Sequence, residues 1–409
     1  MTAVRPIRRT AVIGLLGLVV LPVAWAAPAA AGPPPTPELS AKSAIVINAA
    51  NGEVLYAQAP HRKRAIASTT KLMTALLTLE SVSLRDEFAA PVYRASPAEV
   101  TIGLQPGERM TVRDLMRALL LPSANDAAAT LAQGMAGSRA RFVRMMNRRA
   151  RQLGLSDTHY SNPVGLDVGR NYSSAADLVT LARRLRRDAF FRHTTNLVQA
   201  RLRSGNHPRT VVNRDDLVAK YRFINGVKTG HTNKAGYVLV GSGTKNGVTV
   251  ISAVLGDPTE DARDADTLTL LDYGLSQLKR VTAVRKGERL GTAKVRYRES
   301  ETIPLVAGRT VREVVRRGQR PRVAVHAPAV VGGPKAAGAP VGTALVQVEG
   351  RTVGRAPVLT GKKVPAIGFV DRVFGGVGTL TVILVATVLL VVACSLLIAM
   401  GRRRRRQHA

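Results

Sequence analysis

Ser68 and Lys71 stand three residues apart in the run Ser68-Thr69-Thr70-Lys71. A serine hydroxyl is a weak nucleophile until a base removes its proton. A base three residues further along a helix lies on the same face as the serine. Helical periodicity from Ser68 to Leu79, with Leu72, Leu76 and Leu79 on one side, predicts such a helix. At its start, backbone N–H groups and the positive dipole end would face an oxyanion forming beside Ser68. To serve as the base, Lys71 must be desolvated or lie near another cation, so that its pKa falls. A capped helix with a surface lysine shows the same spacing, so the pair alone does not decide. Two further triplets carry complementary groups. Ser123-Ala124-Asn125 offers a hydroxyl that can relay a proton and an amide that can bind both a substrate carbonyl and a lysine. Lys228-Thr229-Gly230 offers a cation, a hydroxyl for a carboxylate, and room for a substrate to lie against a strand. Each triplet alone is equally an ordinary loop or turn.

These groups need elements to hold them. Ser43 to Asn48 reads as a strand, Asn51-Gly52 as a type I′ turn, and Glu53 to Gln58 as the partner strand. Helices are predicted at Thr111 to Leu121 (capped by Thr111), Asp126 to Met135, Ala140 to Leu153, and Ser174 to Leu185 (capped by Ser173 or Ser174). Tyr237 to Gly241 and Val248 to Leu255 read as strands joined by a turn at Lys245-Asn246-Gly247, and Lys228-Thr229-Gly230 opens this region. Thr267 to Leu278 reads as a closing helix. Strands, then helices, then strands, then a helix argue for an α/β (α+β) sandwich with a helical insertion, not a parallel doubly wound sheet. Beyond about Arg280, short Val-rich strands separated by turns such as Lys286-Gly287-Glu288 and Glu349-Gly350-Arg351 read as a small all-β domain.

Composition and the two ends set the context. A chain of 409 residues, 45% hydrophobic, can form two or three domains with a sizeable core. The formal net charge of +33 suits an anionic partner, or reflects an Arg bias on a solvated surface. Cys394 is the single cysteine, so no intramolecular disulfide forms. Arg5, Arg8 and Arg9, then apolar Ala11 to Trp25, then Ala24-Trp25-Ala26 or Ala29-Ala30-Ala31, read as a secretory signal peptide, with an uncleaved anchor as the alternative. Val377 to Met400 is uncharged and almost wholly apolar, longer than the roughly 20 residues that span a bilayer as a helix. Arg402 to Arg406 follows and, by the positive-inside rule, stays in the cytoplasm. The expected division is signal peptide 1–27, Pro-rich linker 28–38, catalytic domain 39–279, β-domain 280–360, linker 361–376, transmembrane helix 377–400 and basic tail 401–409. Nucleic-acid binding fits the charge but not the export signal and topology.

Ser-x-x-Lys, Ser-x-Asn and Lys-Thr-Gly, in this order, are the three signatures of β-lactamases and penicillin-binding proteins. The longer context resembles the low-molecular-mass D-alanyl-D-alanine carboxypeptidases, serine peptidase family S11. Ala44-Ile45-Val46-Ile47-Asn48, Ala67-Ser68-Thr69-Thr70-Lys71-Leu72-Met73-Thr74-Ala75, Leu119 to Ala128, Gly226-Val227-Lys228-Thr229-Gly230-His231-Thr232 and Leu270-Leu271-Asp272-Tyr273-Gly274 are similar to family segments. The resemblance covers about Ala41 to Gly274 and continues more weakly to about Leu359. It implies an antiparallel sheet flanked by helices with a helical subdomain. It also implies roles. Ser68 attacks the bond between two terminal D-alanines, Lys71 is the base, and Ser123 relays a proton to the leaving group. Asn125 binds substrate and orients Lys71, while Lys228 and Thr229 receive the carboxylate. The N–H groups of Ser68 and His231 form the oxyanion hole, with the His231 ring facing solvent or packing. Arg263 assists the carboxylate or is an ordinary surface residue.

The implied partners are peptidoglycan stem peptides, β-lactams as covalent inhibitors, and the membrane through the C-terminal helix. Neither metal nor cofactor is implied. Val164 departs from the family, which commonly has His there. Ser156 to Leu166 contains no Glu, which argues against a β-lactamase that uses a Glu-bound water for fast deacylation. A non-catalytic wall-binding protein of the same fold is the alternative from another class. Transpeptidase and endopeptidase action, which change only the acceptor or the bond, stay open.

Overall fold

The computed structural model describes residue 2, residues 35–368, residue 372 and residues 379–405. The segment read as a signal peptide lies almost wholly outside these residues. The described chain opens with β1 (Ser43–Asn48) and β2 (Val54–Gln58). A 3-10 turn over Ala67–Thr70 then runs into α1 (Lys71–Ser81). A helical region follows: β3 (Glu87–Ala89), β4 (Arg109–Thr111), α2 (Val112–Leu120), α3 (Asn125–Ala136), α4 (Arg139–Gln152), α5 (Ala175–Leu185) and α6 (Ala189–Thr195). A small hairpin of β5 (Gln199–Leu202) and β6 (Arg209–Val212) leads through α7 (Leu217–Lys220) back to the main sheet. There lie β7 (Ile224–Thr232), β8 (Gly236–Lys245) and β9 (Val248–Asp257), and α8 (Glu260–Gln277) closes the unit.

The main sheet has the order β2-β1-β9-β8-β7 and is antiparallel throughout. Strands β1, β8 and β9 are buried on both faces, with side chains alternating between them. Ile45, Ile47, Val238, Val240 and Ile251 face a core shared with Leu72, Leu119, Leu131 and Phe142 of the helical region. Ala44, Val46, Leu239, Val250 and Val254 face Leu270, Leu271 and Leu275 of α8. Burial on both faces is why these strands read as continuous apolar runs. The sheet has two edges, β2 and β7; β7 is the one beside Ser68, and Lys228-Thr229-Gly230 sits well inside it.

Local chemistry explains the boundaries. Thr111 caps α2 by accepting from Asp114 N, and Ser174 caps α5 by accepting from Asp177 N, as read from the sequence. The type I′ turn is not at Asn51-Gly52. Of that pair only Gly52 has positive φ, and the loop closes through Asn48 N to Glu53 O at 2.8 Å. Asn246 and Gly247 have φ of 52° and 72°, the two positive values that type I′ requires, and they join β8 to β9. Helix α8 starts two turns before the expected Thr267, capped by Thr259. Its opening residues, Glu260 to Asp264, are mostly charged and carry no apolar rhythm, though two acids in the first turn suit the dipole.

From Leu278 the chain is all β: β10 (Leu278–Val284), β11 (Arg289–Val295), β12 (Arg298–Ala307), β13 (Val311–Arg316), β14 (Arg322–His326), β15 (Val330–Val331), β16 (Pro340–Val348) and β17 (Arg351–Thr360). A six-stranded sheet, β14-β16-β17-β12-β11-β15, and the β10-β13 pair share a core that includes Val284, Val295, Ile303, Val346 and Val358. Arg316 fastens this unit to the first hairpin. It is paired with Glu53 and donates to Gln277 Oε1 at 2.9 Å and Val54 O at 3.0 Å. Helix α9 (Thr379–Arg405) contains the span Ile383–Met400, long and apolar enough to cross a membrane and uncovered by protein.

Leu119 is fully buried in the last turn of α2, just before the Ser123 segment. Leu119→Ala should lower the unfolding free energy by about 2–5 kcal/mol in urea titration. An unchanged midpoint would mean that the helical core does not depend on this contact.

Candidate active site

Ser68 lies in the 3-10 turn, and Lys71 is the first residue of α1. Three residues of helical rise place Lys71 Nζ 3.0 Å from Ser68 Oγ. Lys71 is fully buried, and its Nζ also meets Asn125 Oδ1 at 2.6 Å and Val164 O at 2.7 Å. A neutral amine has two N–H bonds and one lone pair. The two carbonyl oxygens can each accept one N–H, which leaves the lone pair for the Ser68 hydroxyl proton.

Each partner is held by its own element. Asn125 opens α3, and its backbone N–H donates to Val100 O at 2.7 Å. Val164 sits in a loop shaped by Asn162, whose Oδ1 accepts the N–H groups of Val164, Gly165 and Leu166. Gly165 has φ +102°, and a Cβ there would stand 2.0 Å from Ala67 O. The Val164 loop therefore closes on the nucleophile turn as only glycine permits. The departure at position 164 changes a buried side chain, while the group that reaches Lys71 is the backbone carbonyl.

Ser123 takes φ +69°, a costly conformation for a residue with a Cβ. Among the described residues its buried Oγ has no hydrogen-bond partner, yet Ser123 lines the same cleft as Ser68. A strained, unpaired hydroxyl at a cleft is available to a substrate. Across the cleft runs β7. A Cβ on Gly230 would come within 3.0 Å of Ser68 N, so this glycine lets the strand pack on the nucleophile turn. That close packing is a reason for glycine beside the expected one, room for substrate, since Gly230 also lines the cleft. Thr229, Gly230 and His231 form this wall of a cleft of about 630 Å³. The His231 ring is exposed and stacks on Tyr237 at 4.1 Å, in line with a role through its backbone.

Lys228 does not line the cleft. It lies beneath the wall, 1% exposed, with Nζ donating to Thr229 O at 3.0 Å. Arg263 is 3% exposed and paired with Glu260 and Asp264, so the ordinary surface reading is wrong, and it does border the cleft. Among the cleft residues that no sequence motif marks are Arg214 and Glu99. Arg214 is one arginine among many, and Glu99 lies in a loop without a motif. Among the described residues no group of three His, Cys, Asp or Glu could hold a metal ion.

Comparison with known proteins follows the same lines. Residues 29–259, more than half of the chain, match the family model of the D-alanyl-D-alanine carboxypeptidases, peptidase family S11. The chain belongs to this family. Residues 279–366 match the C-terminal domain of penicillin-binding protein 5. The D-alanyl-D-alanine carboxypeptidase DacF of Bacillus subtilis is 29% identical, over 87% of this chain and 94% of that protein. Penicillin-binding protein 5 of Haemophilus influenzae shares the fold, with a TM-score of 0.58 and 24% identity over 80% of this chain and 98% of that one. A DD-transpeptidase of Streptomyces aligns with a TM-score of 0.55 and 29% identity over 59% of this chain and 99% of that one.

The electrostatics of this carboxypeptidase-family cleft favour a neutral base. Burial pushes the Lys71 ammonium well below its ordinary range, Lys228 and Arg214 push the same way, and Glu99 and Asp126 oppose them. Burial, helped by Arg214, lowers Lys228 to about 7, with Asp215 opposing. Beneath the wall, burial raises Asp215 to about 7 against the pull of Arg263. A protonated Lys71 cannot accept the Ser68 proton, so acylation should be slow at low pH. The rate should climb as pH passes the depressed Lys71 pKa and level off well before about pH 10.4, where a solvated lysine titrates. Stopped-flow acylation by a penicillin measures this, and Lys71→Met should cost about 10²–10⁴-fold. A rate that tracks an ordinary lysine would sink the assignment.

Proposed function

We propose that this chain cleaves the terminal D-alanyl-D-alanine bond of peptidoglycan stem peptides through an acyl-enzyme on Ser68. The observation that carries this reading is Lys71 Nζ, held between two carbonyl oxygens and 3.0 Å from Ser68 Oγ. In the first step Ser68 Oγ bonds to the penultimate D-alanine carbonyl carbon while Lys71 takes its proton. The developing oxyanion is received by the N–H groups of Ser68 and His231. Ser123 passes a proton to the departing nitrogen, the C–N bond breaks, and D-alanine leaves. Asn125 holds the acyl side of the peptide and Thr229 meets the terminal carboxylate. Arg214 at the cleft, Lys228 beneath it and Arg263 at its border keep the local potential positive. Water then attacks the ester, with the proton path reversed, and frees the shortened peptide.

A β-lactam offers the same carbonyl in a ring and retains its leaving group, so it acylates Ser68 and departs slowly. We place the catalytic domain at 39–279 and the β-domain at 280–360. The apolar span Ile383–Met400 anchors both to the membrane, with the arginine tail inside and the cleft outside. Transfer of the acyl group to an amine instead of water is a second reading, favoured by the likeness to a Streptomyces DD-transpeptidase.

A pentapeptide ending in D-Ala-D-Ala tests the reaction. Wild-type protein should release one D-alanine per peptide, and Ser68→Ala should release none. A D-amino acid added as acceptor should leave the yield of free tetrapeptide largely intact. Its complete replacement by the exchanged peptide would favour transfer. Rapid turnover of penicillin would instead show a β-lactamase.

A further inference from the structure

Asn125 Oδ1 accepts from Lys71, and the other half of the same amide, Nδ2, donates to Glu99 Oε2 at 2.7 Å. Glu99 is itself fixed. Its Oε1 accepts from Ser96 N at 3.1 Å and Ser96 Oγ at 3.2 Å, and its Oε2 also accepts from the Tyr93 hydroxyl. The loop carrying it is tied to the start of α3 by Asn125 N to Val100 O, and by Ile102 and Leu104 N–H groups bonded to Asp126. Burial works to raise the Glu99 pKa, but the bonds from Tyr93, Ser96 and Asn125 outweigh it and leave Glu99 below its ordinary value. An ionised carboxylate only accepts hydrogen bonds. It therefore admits one orientation of the Asn125 amide, with NH₂ toward Glu99 and oxygen toward Lys71.

The opposite orientation would harm the base. An amide turned over would aim an N–H at Lys71 Nζ and compete for the lone pair that must take the Ser68 proton. Neutral Lys71 can donate to an oxygen or accept from an N–H, so it does not distinguish the two ends; Tyr93, which also meets the Asn125 side chain, can only accept from the NH₂ because its own hydroxyl proton goes to Glu99, and that arrangement again depends on Glu99. We propose that Glu99 is a positioning residue for acylation, holding the Asn125 amide in the orientation that keeps the Lys71 lone pair free for Ser68. This rests on the Ser68–Lys71 reading above. Glu99 also faces Lys71 as a charge. With Asp126 it favours the ammonium, against Lys228 and Arg214.

Glutamine and alanine at position 99 separate the two effects. Glu99→Gln keeps an oxygen for Asn125 Nδ2 and loses the charge. Glu99→Ala loses both. The measurement is the acylation rate of the full-length protein in detergent with a fluorescent penicillin, from neutral to alkaline pH, beside the thermal midpoint of each variant. Glu99→Ala should acylate about 100-fold more slowly at its plateau, the order of loss that follows a misplaced catalytic group. Glu99→Gln, whose amide can donate as well as accept and so admits both Asn125 orientations, should fall between Glu99→Ala and wild type, with its pH midpoint shifted below that of wild type because a neighbouring negative charge is gone. A purely structural role would lower the thermal midpoint without moving the pH profile. The proposal is overturned if Glu99→Ala matches wild type at every pH, or if Glu99→Gln is as slow as Glu99→Ala with an unshifted midpoint. Labelling of a Ser68→Ala control would overturn the underlying acyl-enzyme reading instead.

Discussion

The site depends on keeping a lysine uncharged inside the protein. An ammonium in the position of Lys71 would be costly, because a buried charge loses its hydration and finds no ionic partner in direct contact. An uncharged amine there costs far less, since both its N–H bonds find carbonyl oxygens. Folding therefore favours the same protonation state that the proposed chemistry needs. Three pieces of chain far apart in sequence must meet for this: the start of α1, the start of α3, and the Asn162-to-Leu166 loop. The helical insertion brings them together under β7, the edge strand beside Ser68.

Close approach is the second constraint. The nucleophile turn is gripped from one side by Gly165 and from the other by Gly230. Any Cβ at either place would push a wall of the cleft away from Ser68. Ala67, with φ +45°, and Ser123, with φ +69°, add backbone strain around the same point. Such strain persists only where surrounding packing over-determines it. Here the packing is that of Leu119, Leu131 and Phe142 in the helical core.

The three triplets stand out in the sequence because the chemistry proposed for each needs a particular residue type at a fixed spacing. Periodicity exposed α1 to α5, and caps such as Thr111 and Ser174 marked their starts. What escaped notice were groups whose contribution has no sequence spacing. The Val164 carbonyl is a backbone atom, so residue type does not reveal it. Glu99 and Arg214 reach the cleft through tertiary folding, and Arg214 is hidden by an arginine-rich composition. The charged opening of α8 lacked apolar rhythm. Of the three Asn-Gly pairs, at 51–52, 225–226 and 246–247, the tightness of the loop between paired strands makes only the last a two-residue turn. Arg263 shows another limit: the sequence left it between the carboxylate site and the surface, and it is buried while paired with two acids of its own helix.

The sheet order also has a consequence in time. Strand β1, near the start of the folded chain, lies between β2 and β9, and Ile45 is registered with Ala253. Until β9 is available, the opening hairpin has one unpaired flank and no α8 to cover one face. An isolated two-stranded hairpin is at best marginally stable in water. The central sheet is thus a late event, completed by pairing across the longest loop in the domain, and such non-local closure is slow. In a chain made from its N-terminus, Asn125 and Val164 emerge soon after Ser68, and the wall carrying Gly230 on β7 is the last neighbour of that serine to be added.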